Sequence, residues 1–284
     1  PILVLESTII THGMPFPQNY ETAKSLENLC RSNGVTPATI AIYKGKIHIG
    51  LDDNILTELS ALKDHTEKVS TRDIGYCLAL NKSGGTTVAA TSFIADLVGL
   101  EIFATGGIGG VHRGVIDSWD ISADMQSLKS NHVLVICAGA KAILDIPKTL
   151  ELLDSYSVPV FAYKSDDFPA FYSSKSGNIV KRVDTPVEIA RIWQRQKSLG
   201  LTSGMLIGNP ISTELEIPAE SIEEQIQIGL KEVKELSIKG KDITPFLLQR
   251  LYELTSGDSL TTNINLVKNN VKLGCKISKE MSKL

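Results

Sequence analysis

Ile102-Phe103-Ala104-Thr105-Gly106-Gly107-Ile108-Gly109-Gly110 opens the stretch whose reading decides the fold. Val111-His112-Arg113-Gly114 follows, then Asp117, Asp120 and Asp124 with Ser118 and Ser122 between them. A second apolar run, Val133-Leu134-Val135-Ile136-Cys137, ends at Ala138-Gly139-Ala140-Lys141. Short apolar runs closed by turn residues read as buried strands. The order is therefore strand, glycine loop, polar switchback, strand, lysine. Four glycines ahead of a His, an Arg and three Asp suggest backbone held close to a small anionic ligand, with Lys141 at the centre of a candidate active site.

Working outward, Ile2–Leu5 is another buried-strand run, and it delivers Glu6 to its C-terminal end. Asn19 is a candidate N-cap for a helix from Tyr20 to Ser32, with Gly34 closing it. Thr39 to Leu51 alternates around Lys44-Gly45-Lys46, a hairpin pattern. Asp52 or Asp53 can cap the helix after it, and Ser70 and Asp73 have capping-box spacing. Gly84-Gly85-Thr86-Thr87 precedes a small-residue helix from Ala89 to Val98. Beyond Lys141 come a helix through Leu153, a strand at Val158–Tyr163, a helix from Pro186 to Leu199, and a last buried strand in Gly204–Pro210. Three helices close the chain: Ser221–Ile238, Ile243–Leu254 and Leu260–Met281. This alternation predicts an α/β layered fold with a mostly parallel or mixed central sheet. No linker, repeat or low-complexity tract interrupts residues 1–284, so a single domain is expected.

With 284 residues, 42% of them hydrophobic, and a formal net charge of -3, the composition is that of a globular protein with no general attraction to polymeric nucleic acid. Any nucleotide partner is expected to be small and held in a pocket. Cys30, Cys77, Cys137 and Cys275 lack metal-ligand spacing and fit a reduced, intracellular protein. No apolar run is long enough to span a bilayer. The chain starts at Pro1 in a strand-like run without a signal-peptide pattern or an initiator Met. The expectation is therefore cytoplasmic, with an organelle left open should a targeting segment precede Pro1.

Ligands of α/β sheets bind beyond the carboxyl ends of the strands, where Glu6, Thr105, Lys141 and Asn209 fall here. Position alone makes Lys141 a solvent-reaching lysine at a helix start. The chemical alternative is a partly desolvated amine acting as a nucleophile, favoured if the cation of Lys68 lies near it. Thr105–Gly110 reads T-G-G-I-G-G, which is neither GxGxxG nor a P-loop, so a structural turn is the competing reading. His112 and Arg113 behind it make an oxyanion or phosphate contact credible. Gly84–Thr87, at a helix start, is a second candidate cradle. One or two of the three Asp, completed by waters, would suit Mg²⁺ or Mn²⁺. His12, His48, His65 and His132 show no ligand spacing and read as structural.

The run Leu5-Glu6-Ser7-Thr8-Ile9-Ile10-Thr11-His12-Gly13-Met14-Pro15-Phe16-Pro17-Gln18-Asn19 closely resembles the opening signature of pseudouridine-5'-phosphate glycosidases, the indigoidine-synthase-A-like family. Similar too are Lys68–Asp73, Gly85–Thr91, Thr105–Gly114, Asp120–Asp124, Cys137–Lys141, Asp167–Tyr172 and Ser259–Asn263, in order along essentially the whole chain. The resemblance implies reversible cleavage of pseudouridine 5'-phosphate to uracil and ribose 5-phosphate, on a three-layer α/β/α fold assembled as a homotrimer. By the family's pattern Lys141 is the nucleophile and Glu6 the acid/base. Asp120 matches a metal position expected to hold Mn²⁺ mainly through waters. Lys68, Val88, Ser122, Ala123 and Asp124 match substrate-binding positions, with Thr87, His112 and Asn263 as further contacts. Two other readings stand beside it: a Schiff-base sugar-phosphate aldolase or lyase, and a non-enzymatic phosphosugar- or nucleotide-binding regulator, which would not need Glu6 or Lys141.

Overall fold

Leu3, Val4 and Leu5 are consecutive and each at most 4% exposed. Successive strand side chains point to opposite faces, so β1 (Ile2–Leu5) must be covered on both sides. The computed structural model, which describes residues 1–62, 65–238, 240 and 243–284, shows what covers it.

The other strands are β2 (Thr36–Tyr43), β3 (Lys46–Ile49), β4 (Glu67–Val69), β5 (Gly84–Thr86), β6 (Ile102–Ala104), β7 (Leu134–Cys137), β8 (Val160–Tyr163), β9 (Lys181–Val183) and β10 (Met205–Gly208). They form one sheet in the order β4-β5-β2-β1-β6-β7-β10-β8-β9, with β3 hairpinned onto β2. Only β2–β3 and β2–β5 run antiparallel; the pairings on either side of β1, with β2 and with β6, are parallel. The sheet is thus mixed, as expected.

Helices α1 (Thr8–Thr11), α2 (Gln18–Ser32), α3 (Asp53–Ala61), α4 (Ile74–Ala79), α5 (Val88–Leu97) and α6 (Val115–Ser118) alternate with the first strands. They are followed by α7 (Ala123–Ser130), α8 (Ile146–Ser155), α9 (Pro186–Ser198), α10 (Ala219–Glu235), α11 (Ile243–Leu254) and α12 (Asp258–Met281). One helical layer centres on α12, which lies along β1, β6 and β7 and packs on α2 and α9. A second includes α5, which touches β1, β2, β5 and α7. β1 is held between them in an α/β/α arrangement. Gly274 lets α12 come close: a Cβ there would stand 2.9 Å from Leu3 Cδ1.

Several local readings change. Asn19 is not the cap of α2, which begins at Gln18. Its amide instead donates to Ile10 O at 2.8 Å and Ser60 O at 2.9 Å, tying α1 to α3. Asp52 does cap α3, accepting from Ile55 N at 2.8 Å, and the Ser70–Asp73 capping box is formed around a single 3₁₀ turn. Gly84–Thr86 is a strand, and β4 and β9 are three-residue edge elements too short to carry a readable period. No helix among the described residues is long and apolar enough to cross a membrane. The four cysteines are free and buried.

Candidate active site

The central stretch works because the parallel β6–β7 ladder continues past the strands. Thr105 N donates to Ile136 O at 2.9 Å, Ala138 N to Gly106 O at 2.8 Å, and Ile108 N to Gly139 O at 3.1 Å. Lys141 N donates to Ile108 O at 3.0 Å. The two loops are zipped together, and Lys141 sits in the turn before α8 rather than at a helix start. Two glycines permit the zipper. A Cβ at Gly107 would lie 2.5 Å from the Phe171 ring, and one at Gly139 would lie 1.9 Å from Pro169 O. Gly139 also has φ +100, a conformation that side chains rarely adopt.

Glu6 reaches the same place from the other side. Parallel pairing of β1 with β6 sets Leu5 against Ala104, so Glu6 and Thr105 leave the sheet side by side. The Thr105 hydroxyl donates to a Glu6 carboxylate oxygen. Burial pushes the Glu6 carboxyl above its usual range, opposed by the charges of Lys141 and Lys68 and by the Thr105 hydrogen bond. Glu6, Lys68, Lys141, Gly106, Phe171 and Asn263 line a chamber of about 50 Å³. Glu6, Lys68 and Lys141 also line an outer lobe of about 180 Å³, with Thr87, Val88, His112, Asp120, Ser122, Ala123 and Asp124. Every residue that the family resemblance assigned to the site therefore borders one cleft, and the two lysines do share it.

The outer lobe is built from two helix starts. Thr87 caps α5 and Ser122 caps α7. Asp124, 5% exposed, accepts from Ala89 N at 2.9 Å and from Gly109 N at 2.7 Å, tying α5 to the glycine loop. Its carboxylate is spent on backbone donors, so it shapes the lobe. Gly109 has to be glycine, since a Cβ would meet Ser122 Oγ at 2.2 Å. Helix N-termini with cations beside them form an environment for an anion such as phosphate. Lys68 and Arg72 supply the cations here. The proposed Gly84–Thr87 cradle is corrected: Thr86 N donates to Ser7 Oγ at 2.9 Å and Thr87 N to Val69 O at 2.9 Å, which leaves the helix start, not the glycines, to face a ligand.

His112 Nδ1 stands 3.8 Å from Asp120 Oδ2. Burial lowers the imidazole pKa below its usual value, helped by Lys141 and Lys68 and opposed by Asp120. The neutral ring can donate at one nitrogen and accept at the other. Among the described residues no cluster of three or more His, Cys, Asp or Glu could hold a metal unaided. Asp120 offers one carboxylate at the lobe's edge, a donor set that suits a hard cation keeping most of its waters and sharing a substrate phosphate.

Arg113 is not a phosphate ligand in this arrangement. Its guanidinium donates to both Glu223 oxygens, at 2.6 and 2.9 Å, and to Ala142 O at 3.1 Å, on the wall of a separate open groove of about 590 Å³. Asp117 is exposed on α6. Sequence reasoning missed the roof of the inner chamber, Thr244, Pro245 and Leu248 of α11, and it missed His12, whose Nδ1 lies 2.7 Å from Thr11 Oγ1. The amphipathic pattern of α11 signals packing without saying what it packs over. His12 lies inside the opening signature and could have been suspected on that ground.

Residues 1–280 match the family described as indigoidine synthase A like protein. Over 285 residues the chain is 48% identical to the pseudouridine-5'-phosphate glycosidase of Caldanaerobacter subterraneus subsp. tengcongensis, spanning 100% of this chain and 92% of that one. Among solved structures it is similar to an indigoidine synthase A-like protein from Thermotoga maritima, with TM-score 0.91, 35% identity, and 98% and 92% of the two chains covered. It is equally similar to a prealnumycin C-glycosynthase in complex with ribulose 5-phosphate, with TM-score 0.91, 32% identity, and 100% and 92% covered.

Proposed function

This chain belongs to the indigoidine synthase A-like family, and from that premise we propose that it is a pseudouridine-5'-phosphate glycosidase, cleaving the bond between ribose C1' and uracil C5. The observation that carries the reading is the convergence of Glu6 and Lys141 on one cleft from strands far apart in sequence. A carbon leaving group needs both. It must be protonated as it departs, and C1' must be stabilised as it loses the bonding pair.

In this mechanism the Lys141 amine bonds to C1' while the C1'–O4' bond breaks and O4' takes a proton from Glu6. The ring-opened sugar then carries both the lysine nitrogen and uracil on C1'. The lysine nitrogen returns a proton to the Glu6 carboxylate, its freed lone pair forms the C1'=N bond, the C1'–C5 pair goes to the base, and the restored Glu6 acid protonates C5. Water hydrolyses the imine, giving ribose 5-phosphate and free Lys141. A protonated Glu6, favoured by burial, is the form that the first step uses. Lys68, Val88, Thr87, Ser122, Ala123 and Asp124 bind or shape the phosphoribosyl side, while His112 and Asn263 contact base or ribose. Asp120 would hold a divalent ion, Mn²⁺ in this reading, which supplies positive charge to the phosphate when bound.

We read residues 1–284 as one catalytic module that assembles as a homotrimer; the continuous core from Leu3 to Ile277 supports the first statement. The likeness to a C-glycosynthase supports carbon–carbon chemistry on a phosphosugar. The deciding experiment incubates the protein with ribose 5-phosphate and borohydride, then maps the adduct by peptide mass. An adduct on Lys141, and loss of uracil release in Lys141→Ala, is expected. An adduct elsewhere or retained turnover overturns the mechanism, and cleavage of a sugar phosphate without any C-nucleoside would favour the aldolase alternative.

A further inference from the structure

Asn270 is a carboxamide in the middle of α12 with 0% exposure, in a position where leucine or valine would serve a purely packing helix. Its Nδ2 donates to Thr105 O at 2.7 Å and reaches Gly106 O at 3.3 Å. Its Oδ1 accepts from Asn209 Nδ2 at 3.0 Å, and Asn209 N in turn donates to Cys137 O at 2.7 Å. Asn209 is itself only 5% exposed. One buried amide pair thus gathers the carboxyl ends of β6, β7 and β10 onto α12. Those ends carry Thr105, the loop to Lys141, and Asn209 itself.

Thr105 gives the arrangement its meaning. Its side chain donates to Glu6, and its carbonyl is the group that Asn270 holds. A shift of the Thr105 backbone away from α12 would carry its hydroxyl off the carboxylate. Buried polar groups with all their partners satisfied fix one geometry firmly, because any alternative leaves a polar atom unpaired in a low-dielectric setting.

We propose that Asn270, oriented by Asn209, is a positioning residue for the reaction: it fixes the Thr105 hydroxyl on the Glu6 carboxyl and so sets the direction in which Glu6 delivers its proton. The inference rests on the reading of Glu6 as the acid/base. Asn270 does not touch the cleft and acts only through Thr105. The other charged groups acting on Glu6 are Lys141, Lys68 and Asp124, carried by other elements.

The test compares Asn270→Leu, Thr105→Val, Thr105→Ser and the Asn270→Leu/Thr105→Val double variant in steady-state cleavage of pseudouridine 5'-phosphate. With the general acid misaligned but still present, kcat is expected to fall by about 30- to 100-fold, up to the lower end of the roughly 10²–10⁴-fold that one proton-transfer group supplies, while KM stays within about 3-fold. The pH limb assigned to Glu6 moves to higher pH when its hydroxyl donor is loosened. Thr105→Ser retains the rate, and the double variant loses no more than the worse single one. A lowered melting temperature with unchanged kcat and pH limb in Asn270→Leu would reduce the residue to a structural one and overturn the proposal, as would additive losses. Should Asn270→Leu fail to fold, Asn209→Leu, one hydrogen bond further out, is read by the same criteria. Absence of uracil release from the wild-type protein would overturn the reading of the activity instead.

Discussion

Lys141 donates its backbone N–H to the carbonyl of Ile108 at 3.0 Å, which makes the glycine loop a splint for the lysine. A lysine side chain carries about 2 kcal/mol of rotamer entropy, so a covalent role profits from a fixed point of departure. The splint extends a parallel ladder beyond its strands, and it depends on glycines where any side chain would collide with Phe171 or Pro169.

Gly139→Ala tests the splint. The new methyl would sit 1.9 Å from the Pro169 carbonyl oxygen on a backbone at φ +100. Strain of this kind costs about 1–3 kcal/mol for the conformation alone, before the clash is counted. Urea denaturation should show a large drop in midpoint, and turnover should be lost. A variant with native midpoint and rate would mean that the loop tolerates another path.

Glu6→Gln separates stability from activity. Burial raises the carboxyl above its ordinary 4.5, so its contribution to stability is complete below pH 4.5 and is lost as the pH rises through the folded-state value. The amide has no charge to bury. Melting temperature at pH 8 should therefore exceed that of the wild type, with the advantage shrinking as the pH is lowered toward 4.5. Cleavage should fall by roughly 10²–10⁴-fold. Equal melting temperatures across that range would contradict a Glu6 carboxyl raised by burial.

Asp124→Asn removes one of two acceptors. An asparagine can accept from Ala89 N or Gly109 N but would point its NH₂ at the other. The expected cost is about 1–3 kcal/mol of stability, with a rise in KM larger than the fall in kcat, because the outer lobe loses its shape. Calorimetry and steady-state kinetics on the same preparation check both, and an unchanged KM would disconnect Asp124 from the lobe.

Arg113→Ala should leave kcat and KM within about 3-fold of wild type. Its guanidinium is engaged by Glu223 outside the cleft, and partly exposed pairs contribute about 1 kcal/mol or less. A rise in KM of two orders of magnitude would return Arg113 to phosphate binding.

Chelation tests the ion assigned to Asp120. Activity should fall in metal-free buffer, return on addition of Mn²⁺, and show a weakened metal dependence in Asp120→Asn. Full turnover of the chelated protein would remove the ion from the mechanism.

The strand-loop-strand core was readable because Ile102–Ala104 and Val133–Cys137 are apolar without interruption and end on glycines. The caps at Asp52 and Ser70 were readable because capping is local chemistry. Other features depend on partners distant in sequence. Asn19 matches a cap pattern yet serves Ile10 and Ser60, and Arg113 follows a phosphate-like loop yet pairs with a residue 110 positions away. β4 and β9 are made by their neighbours, since three residues hold no period. Most site residues were legible only through resemblance to whole motifs; spacing alone left Lys141 an ordinary surface lysine and His12 a structural one.

The helix that bears Asn263 and Asn270 also closes the sheet over the first strand, with Ser278 Oγ donating to Ile2 O at 3.0 Å across 276 residues. Contacts so remote carry a loop-closure cost that must be met before they return anything. Glu6 and Lys141 are both synthesised well before α12, yet neither has its final surroundings until α12 docks. The cleft that Glu6 and Lys141 share is therefore complete only once α12 has docked, since Asn263 of that helix lines it.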